Sequence, residues 1–168
     1  AAQDSWQGML AVDVVLESYV VPFADLDEFE VKSGQSWGQT FRYDSAGATY
    51  EVDKFSVVLS RESDADPGQT ITLSLRSSWN GAPLASGTIS SDALLTNEAW
   101  VTGTLPTPLI LNDNQTYYIR IDSNGDGKVY AAADGSGNYA RGDLINKDGN
   151  AENGKDMASR IVDRVATV

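Results

Sequence analysis

Cysteine and histidine are both missing from the 168 residues. Without cysteine there is no disulfide framework and no thiolate metal site, and without histidine there is no imidazole ligand. Together the two absences remove Ser/His/Asp and Cys/His nucleophilic catalysis. Positive charge is scarce: 12 Lys and Arg against 24 Asp and Glu leave a formal charge of −12. Nothing then supplies the basic stripe that phosphate-backbone binding needs, so nucleic acid and anionic membrane surfaces are not expected partners. No run approaches the roughly 18 to 20 continuous apolar residues of a membrane span. Ala1–Gln7 also lacks a basic stretch leading into an apolar one, so the expectation is a soluble chain whose signal peptide is absent or already removed.

Hydrophobic residues make up 41% and charged residues 21%, enough apolar side chain for one core and too much for a disordered chain. With no repeat, proline-rich linker or low-complexity tract, residues 1–168 read as one domain. The acidic, Gly-, Ser-, Thr-, Asn- and Asp-rich composition is that of bacterial proteins exported into salty or calcium-rich water, where screening reduces self-repulsion. An extracellular location, secreted or cell-surface, is the expectation.

The dominant side-chain period is two. Ile71, Leu73 and Leu75 alternate with Thr72, Ser74 and Arg76, and Phe55, Val57 and Leu59 alternate with Ser56, Val58 and Ser60, the pattern of half-buried strands. Further β-rich runs are 12–20, 27–31, 36–43, 84–89, 99–105, 116–122, 128–132 and 157–165. Turn residues separate them, and Asn80-Gly81 predicts a tight hairpin. Residues 91–98 could hold a turn of helix, and no window predicts a long one. The fold class expected is all-β: an antiparallel two-sheet β-sandwich, a jelly roll of about ten strands.

Asp122-Ser-Asn124-Gly-Asp126-Gly-Lys128 reproduces the opening of an EF-hand loop, with oxygen ligands at alternate positions, a glycine for the bend, and the backbone carbonyl of Lys128. Position 12 of such a loop, where a bidentate Glu belongs, is Ala133, so a carboxylate from outside must complete the sphere: Asp134, or else Asp148, Glu152 or Asp156. The cofactor implied is calcium. The competing reading is an acidic turn between strands with solvated carboxylates.

Four Trp and seven Tyr in an all-β chain raise the prospect of a carbohydrate platform, since the C–H face of a pyranose stacks on an aromatic ring while amides, carboxylates and guanidinium groups bind its hydroxyls. Trp37, Trp100, Phe41, Phe55 and one of Tyr117 and Tyr118 are assigned to packing. Trp79, beside a turn where a ring has little to pack against, is expected to be exposed. Tyr130 follows the Asp122 loop, and Tyr139 sits among Asn138, Arg141 and Asp143, a mixture that suits a sugar. Arg120 alternates with Ile119 and Ile121 and so faces away from the core. The candidate sugar-binding residues are thus Trp79, Arg120, Tyr130, Asn138, Tyr139, Arg141 and Asp143.

Ser36-Trp-Gly-Gln39-Thr-Phe41, the strand 50–60, Trp79-Asn-Gly81-Ala-Pro83-Leu-Ala-Ser-Gly87, the run 111–121 and Asp156-Met-Ala-Ser-Arg-Ile161 stand in a familiar order. Over about residues 28–165 the chain resembles the bacterial exported choice-of-anchor β-sandwich domains, similar in layout to jelly-roll carbohydrate-binding modules of secreted polysaccharide-degrading enzymes. The resemblance implies a non-catalytic accessory module, covalently linked to a catalytic or surface domain and binding a polysaccharide or oligosaccharide. Two alternatives remain: a calcium-stabilised structural or adhesive module, and a glycoside hydrolase or polysaccharide lyase using paired carboxylates or a Tyr/Arg pair.

Overall fold

A computed structural model describes residues 12–19, 27–44, 47, 49–134, 141–152 and 154–165, the side chains of 12–19, 104, 106 and 162–165 excepted. Among the described residues thirteen strands run in the order β1 Val12–Tyr19, β2 Asp27–Val31, β3 Trp37–Phe41, β4 Tyr50–Arg61, β5 Thr70–Arg76, β6 Pro83–Ser90, β7 Ala99–Leu111, β8 Tyr117–Ser123, β9 Val129–Asp134, β10 Leu144–Ile145, β11 Ala151–Glu152, β12 Asp156–Met157 and β13 Ser159–Val165. The count exceeds ten because β10, β11 and β12 are two-residue pairings that sequence periodicity cannot register. Of the 91–98 segment only Ser91–Ala93 coils, as a single 3-10 turn capped by the Ser90 hydroxyl.

The strands form two antiparallel sheets, a β-sandwich. One has six strands in the order β11-β10-β3-β8-β5-β6; the other has seven, running β1-β13-β4-β9-β12, with β7 beside β4 and β2 beside β9. Alternation decides what lies between them. Ile71, Leu73 and Leu75 of β5, Ile119 and Ile121 of β8, and Phe55, Val57 and Leu59 of β4 are all 0–4% exposed and belong to one core cluster. Phe41 and Tyr117 join that core, and Trp37 packs against it. Trp100 instead lies on the outer face of the seven-stranded sheet, over Val58, Ala132 and Ala158, with the Arg160 guanidinium 4.4 Å from its ring.

One polar side chain crosses the sandwich. Gln39 of β3 is fully buried: its Oε1 accepts from the Met157 N–H of β12 at 2.7 Å, and its Nε2 donates to the Asp156 carboxylate and to its neighbour's carbonyl, Thr40 O, both at 3.2 Å. A buried amide is tolerable only when its donors and acceptor are so used, and here they tie the two sheets together.

The β5–β6 hairpin forms, but not through a two-residue turn: the connection runs from 77 to 82, and Gly81 is not among the residues with positive φ. The wider loop carries Trp79 back over the sheet. Arg76 fixes it by donating from Nη1 to the Gly81 carbonyl at 2.6 Å.

Candidate functional site

The outer face of the six-stranded sheet carries the residues left over by the inward alternation: Gly38 and Thr40 on β3, Tyr118, Arg120 and Asp122 on β8. Trp79 lies on this face and is 6% exposed, correcting the expectation of an exposed ring. The reason is a slot made by two glycines. A Cβ on Gly38 would strike the six-membered ring of Trp79 at 2.6 Å, and one on Gly149 would meet its Cδ1 at 2.8 Å. Gly149 also has φ +81°, so both the turn and the close approach require glycine there. Tyr118 lies 6.2 Å from the indole, and the Arg120 guanidinium is 4.7 Å above it.

Arg120 is committed to structure rather than free for a ligand. Its Nε and Nη2 hold the Asp122 carboxylate at 3.0–3.1 Å, and its Nη1 donates to the Trp79 carbonyl at 2.9 Å. The Ser36 hydroxyl donates to the same carboxylate. Arg120 therefore positions Trp79, and the N–H groups that the sequence reading offered to a sugar face the Asp122 carboxylate, the Trp79 carbonyl and the Asn80 side chain in this structure.

Beside Trp79 and Tyr118 an open cleft of about 400 Å³ is lined by Thr40, Arg42, Thr116, Tyr118, Arg141, Gly142, Asp143, Ile145, Gly149 and Ala151. Arg141 and Asp143, both singled out by sequence, meet here. They are delivered by a segment pressed against β3: Thr40 N–H donates to the Asp143 carbonyl at 3.0 Å, and Asp143 N–H donates to the Thr40 hydroxyl at 2.7 Å. Gly142 permits that approach, since a Cβ there would collide with the Thr40 backbone carbonyl. Arg42, Thr116 and Tyr118 were not singled out as site residues. The signal was available in part in the parity of β8, since 118 and 120 point the same way and Thr40 stands opposite Tyr118 in the β3–β8 pairing, with Arg42 and Thr116 next to the ends of those strands. Asn138 and Tyr139 lie outside the described residues.

Tyr130 is elsewhere. It points from β9 off the outer face of the seven-stranded sheet, into a cleft of about 520 Å³ with Glu28, Arg61, Glu62 and Thr96. Its hydroxyl donates to the Glu62 carboxylate, which together with burial pushes its pKa up to about 12. Burial, and then hydrogen bonding to Glu98, raises the Glu28 carboxyl above its ordinary value.

The 122–128 loop does not gather its predicted ligands. Both Asp122 oxygens accept from Arg120, and Asn124 Oδ1 accepts from the Thr70 N–H at 2.8 Å. Asp126 is exposed, and Lys128 pairs with Asp64 at 2.6 Å. The loop is closed by protein donors: Gln69 Nε2 to the Gly127 carbonyl at 2.9 Å, and Lys128 N–H to Glu30 at 3.1 Å, the latter holding the Glu30 carboxyl below its ordinary value. Asp134 ends β9, about 16 Å along the strand from Val129 at roughly 3.3 Å per residue. Among the described residues no group of three or more carboxylates is placed to hold a metal ion.

No protein-family model matches the chain, and no curated protein matches it in sequence. The class that the coordinates define is an antiparallel β-sandwich with a polar, arginine-bearing cleft on one outer face.

Proposed function

We propose that the protein is a non-catalytic carbohydrate-binding module whose site is the cleft bounded by Tyr118, Arg42, Arg141 and Asp143. The supporting observation is the conjunction of an aromatic ring with two guanidinium groups, a carboxylate and two threonines around about 400 Å³, within the range of 300–1,000 Å³ usual for small-ligand sites. One or two sugar rings fit that volume. Tyr118 offers a ring edge or face to a pyranose, Arg42 and Arg141 donate to hydroxyl or carboxylate oxygens, and Asp143 accepts from hydroxyls. Trp79 and Arg120 support this surface from behind. The site stands on a paired sheet, which limits the ordering cost of binding.

The module belongs, in this reading, to an extracellular bacterial protein with a linked catalytic or surface domain, and holding that partner near a polysaccharide raises its effective concentration. The test is affinity electrophoresis in gels carrying neutral or uronate-containing polysaccharides. Retardation by at least one of them, abolished by Tyr118→Ala and by Arg141→Ala and retained by Tyr130→Phe, is the expected result. Equal retardation of all four proteins, or none with any glycan, overturns the assignment.

A further inference from the structure

The open flank of the sandwich carries a second and separate feature. The outer strands β6 and β7 end the two sheets on the same side, where among the described residues β6 is bonded only to β5 and β7 only to β4. Register assigns their inward positions. Leu73 stands opposite Gly87 and Ile71 opposite Ile89, while Phe55 stands opposite Gly103 and Val57 opposite Val101. Each flanking strand thus places a glycine at an inward position.

The two glycines differ in what they leave behind. A Cβ on Gly103 would come within 3.1 Å of the Phe55 ring, so that space is already used. A Cβ on Gly87 would meet nothing within 4 Å, and Gly87 is not among the positive-φ glycines. Neither backbone nor sterics require glycine there, and a larger side chain would occupy the open space in front of it. That space is a slot of about 270 Å³ lined by Phe55, Leu73, Ile89, Val101 and Leu105 together with the chain at Ser86, Thr88 and Thr102, whose side chains alternate away from it.

We propose that this slot is a binding site for an uncharged ligand with an apolar body, a short alkyl chain or small fused ring carrying at most a hydroxyl or similar neutral head. A cavity of 150 Å³ lined by such side chains holds benzene, so 270 Å³ suits about ten non-hydrogen atoms. None of the lining residues carries a charge, so an ionised head of either sign would be desolvated in the slot without a partner, and the net charge of −12 adds repulsion for a carboxylate.

The probe is 1-octanol, titrated into the full chain and followed by amide chemical shifts and by melting temperature. Burying most of an eight-carbon chain at about 0.8 kcal/mol per CH₂ corresponds to a Kd on the order of 10–100 μM. The expected result is saturable shifts confined to Ser86–Ile89 and Val101–Leu105, with the melting temperature raised by about 3–6 °C at tenfold Kd. Gly87→Leu fills the slot and is expected to weaken octanol binding at least tenfold while unfolding at the same or a higher temperature. Octanoate at pH 7 is expected to produce no shifts. Absence of saturable shifts with octanol in the unmodified chain, or unchanged octanol affinity in folded Gly87→Leu, overturns the site. Octanoate binding as tightly as octanol overturns its selectivity for uncharged ligands.

Discussion

Replacing Gln39 by Leu removes the buried tie between the sheets with little change in volume. The Met157 N–H then loses its 2.7 Å acceptor in a position with no exposure, which costs about 1–3 kcal/mol. The Asp156 carboxylate, itself 1% exposed, loses a donor, worth about 1.5–3 kcal/mol for a hydrogen bond to a charged group. The new apolar side chain returns about 1–2 kcal/mol through burial. The expected net loss is about 2–4 kcal/mol, against a total stability of about 5–15 kcal/mol for a domain. For a chain of this length that lowers the melting temperature by roughly 5–15 °C. Urea unfolding followed by tryptophan fluorescence measures it, with an unchanged slope showing that the transition remains comparable. Gln39→Glu supplies a second arm: two carboxylates then face each other, so its destabilisation should be large at pH 7 and shrink as acid protonates one of them. A loss below about 1 kcal/mol for Gln39→Leu, where the orphaned N–H alone predicts more, refutes the reasoning.

Trp79→Ala should destabilise the fold by about 3–5 kcal/mol, as for a buried large-to-small change, and a loss under about 1 kcal/mol in urea unfolding would show that the indole is a surface group. Gly142→Ala should displace Arg141 and Asp143 from the cleft, abolishing glycan retardation in gels while the far-ultraviolet circular dichroism stays that of a β-protein; undiminished retardation counts against the Thr40 contact. Glu28 has a raised folded pKa, so its contribution is unfavourable above that value and vanishes as pH falls below the unfolded value of 4.5. Glu98→Gln should accordingly raise the melting temperature at pH 7 and leave it unchanged near pH 4, and an equal gain at both is the disproof. Because the 122–128 loop is closed by Arg120, Thr70 and Gln69, chelator and millimolar Ca²⁺ should give the same melting temperature; a rise with Ca²⁺ would show that an ion displaces those donors.

The sandwich was legible because period-two alternation is a local property: Ile71, Leu73 and Leu75 declare their buried face without reference to any partner. Trp79 was misread for the opposite reason. What covers it is Gly38, 41 residues earlier, and Gly149, 70 residues later, and nothing near position 79 records either. The loop at Asp122 has the spacing of a cation site, but its oxygens are claimed by Arg120 on the adjacent strand positions and by the Thr70 N–H from β5. Spacing reports which side chains can converge, while competing donors decide whether they do. Arg141 and Asp143 were recognised by residue type, whereas Tyr118 needed the β3–β8 register that sets it opposite Thr40, and Arg42 and Thr116 needed the strand ends that bring them to the same cleft. The all-β class follows from the chain alone; the cleft is a product of strand pairing.

The cleft of Arg42, Arg141 and Asp143 and the cleft of Glu28, Arg61 and Tyr130 open on opposite outer faces of the sandwich. Two sheets and the apolar layer between them, about 10 Å from sheet to sheet, keep the two apart. A molecule seated in one cannot touch a group in the other, so the two faces can meet different neighbours at the same moment.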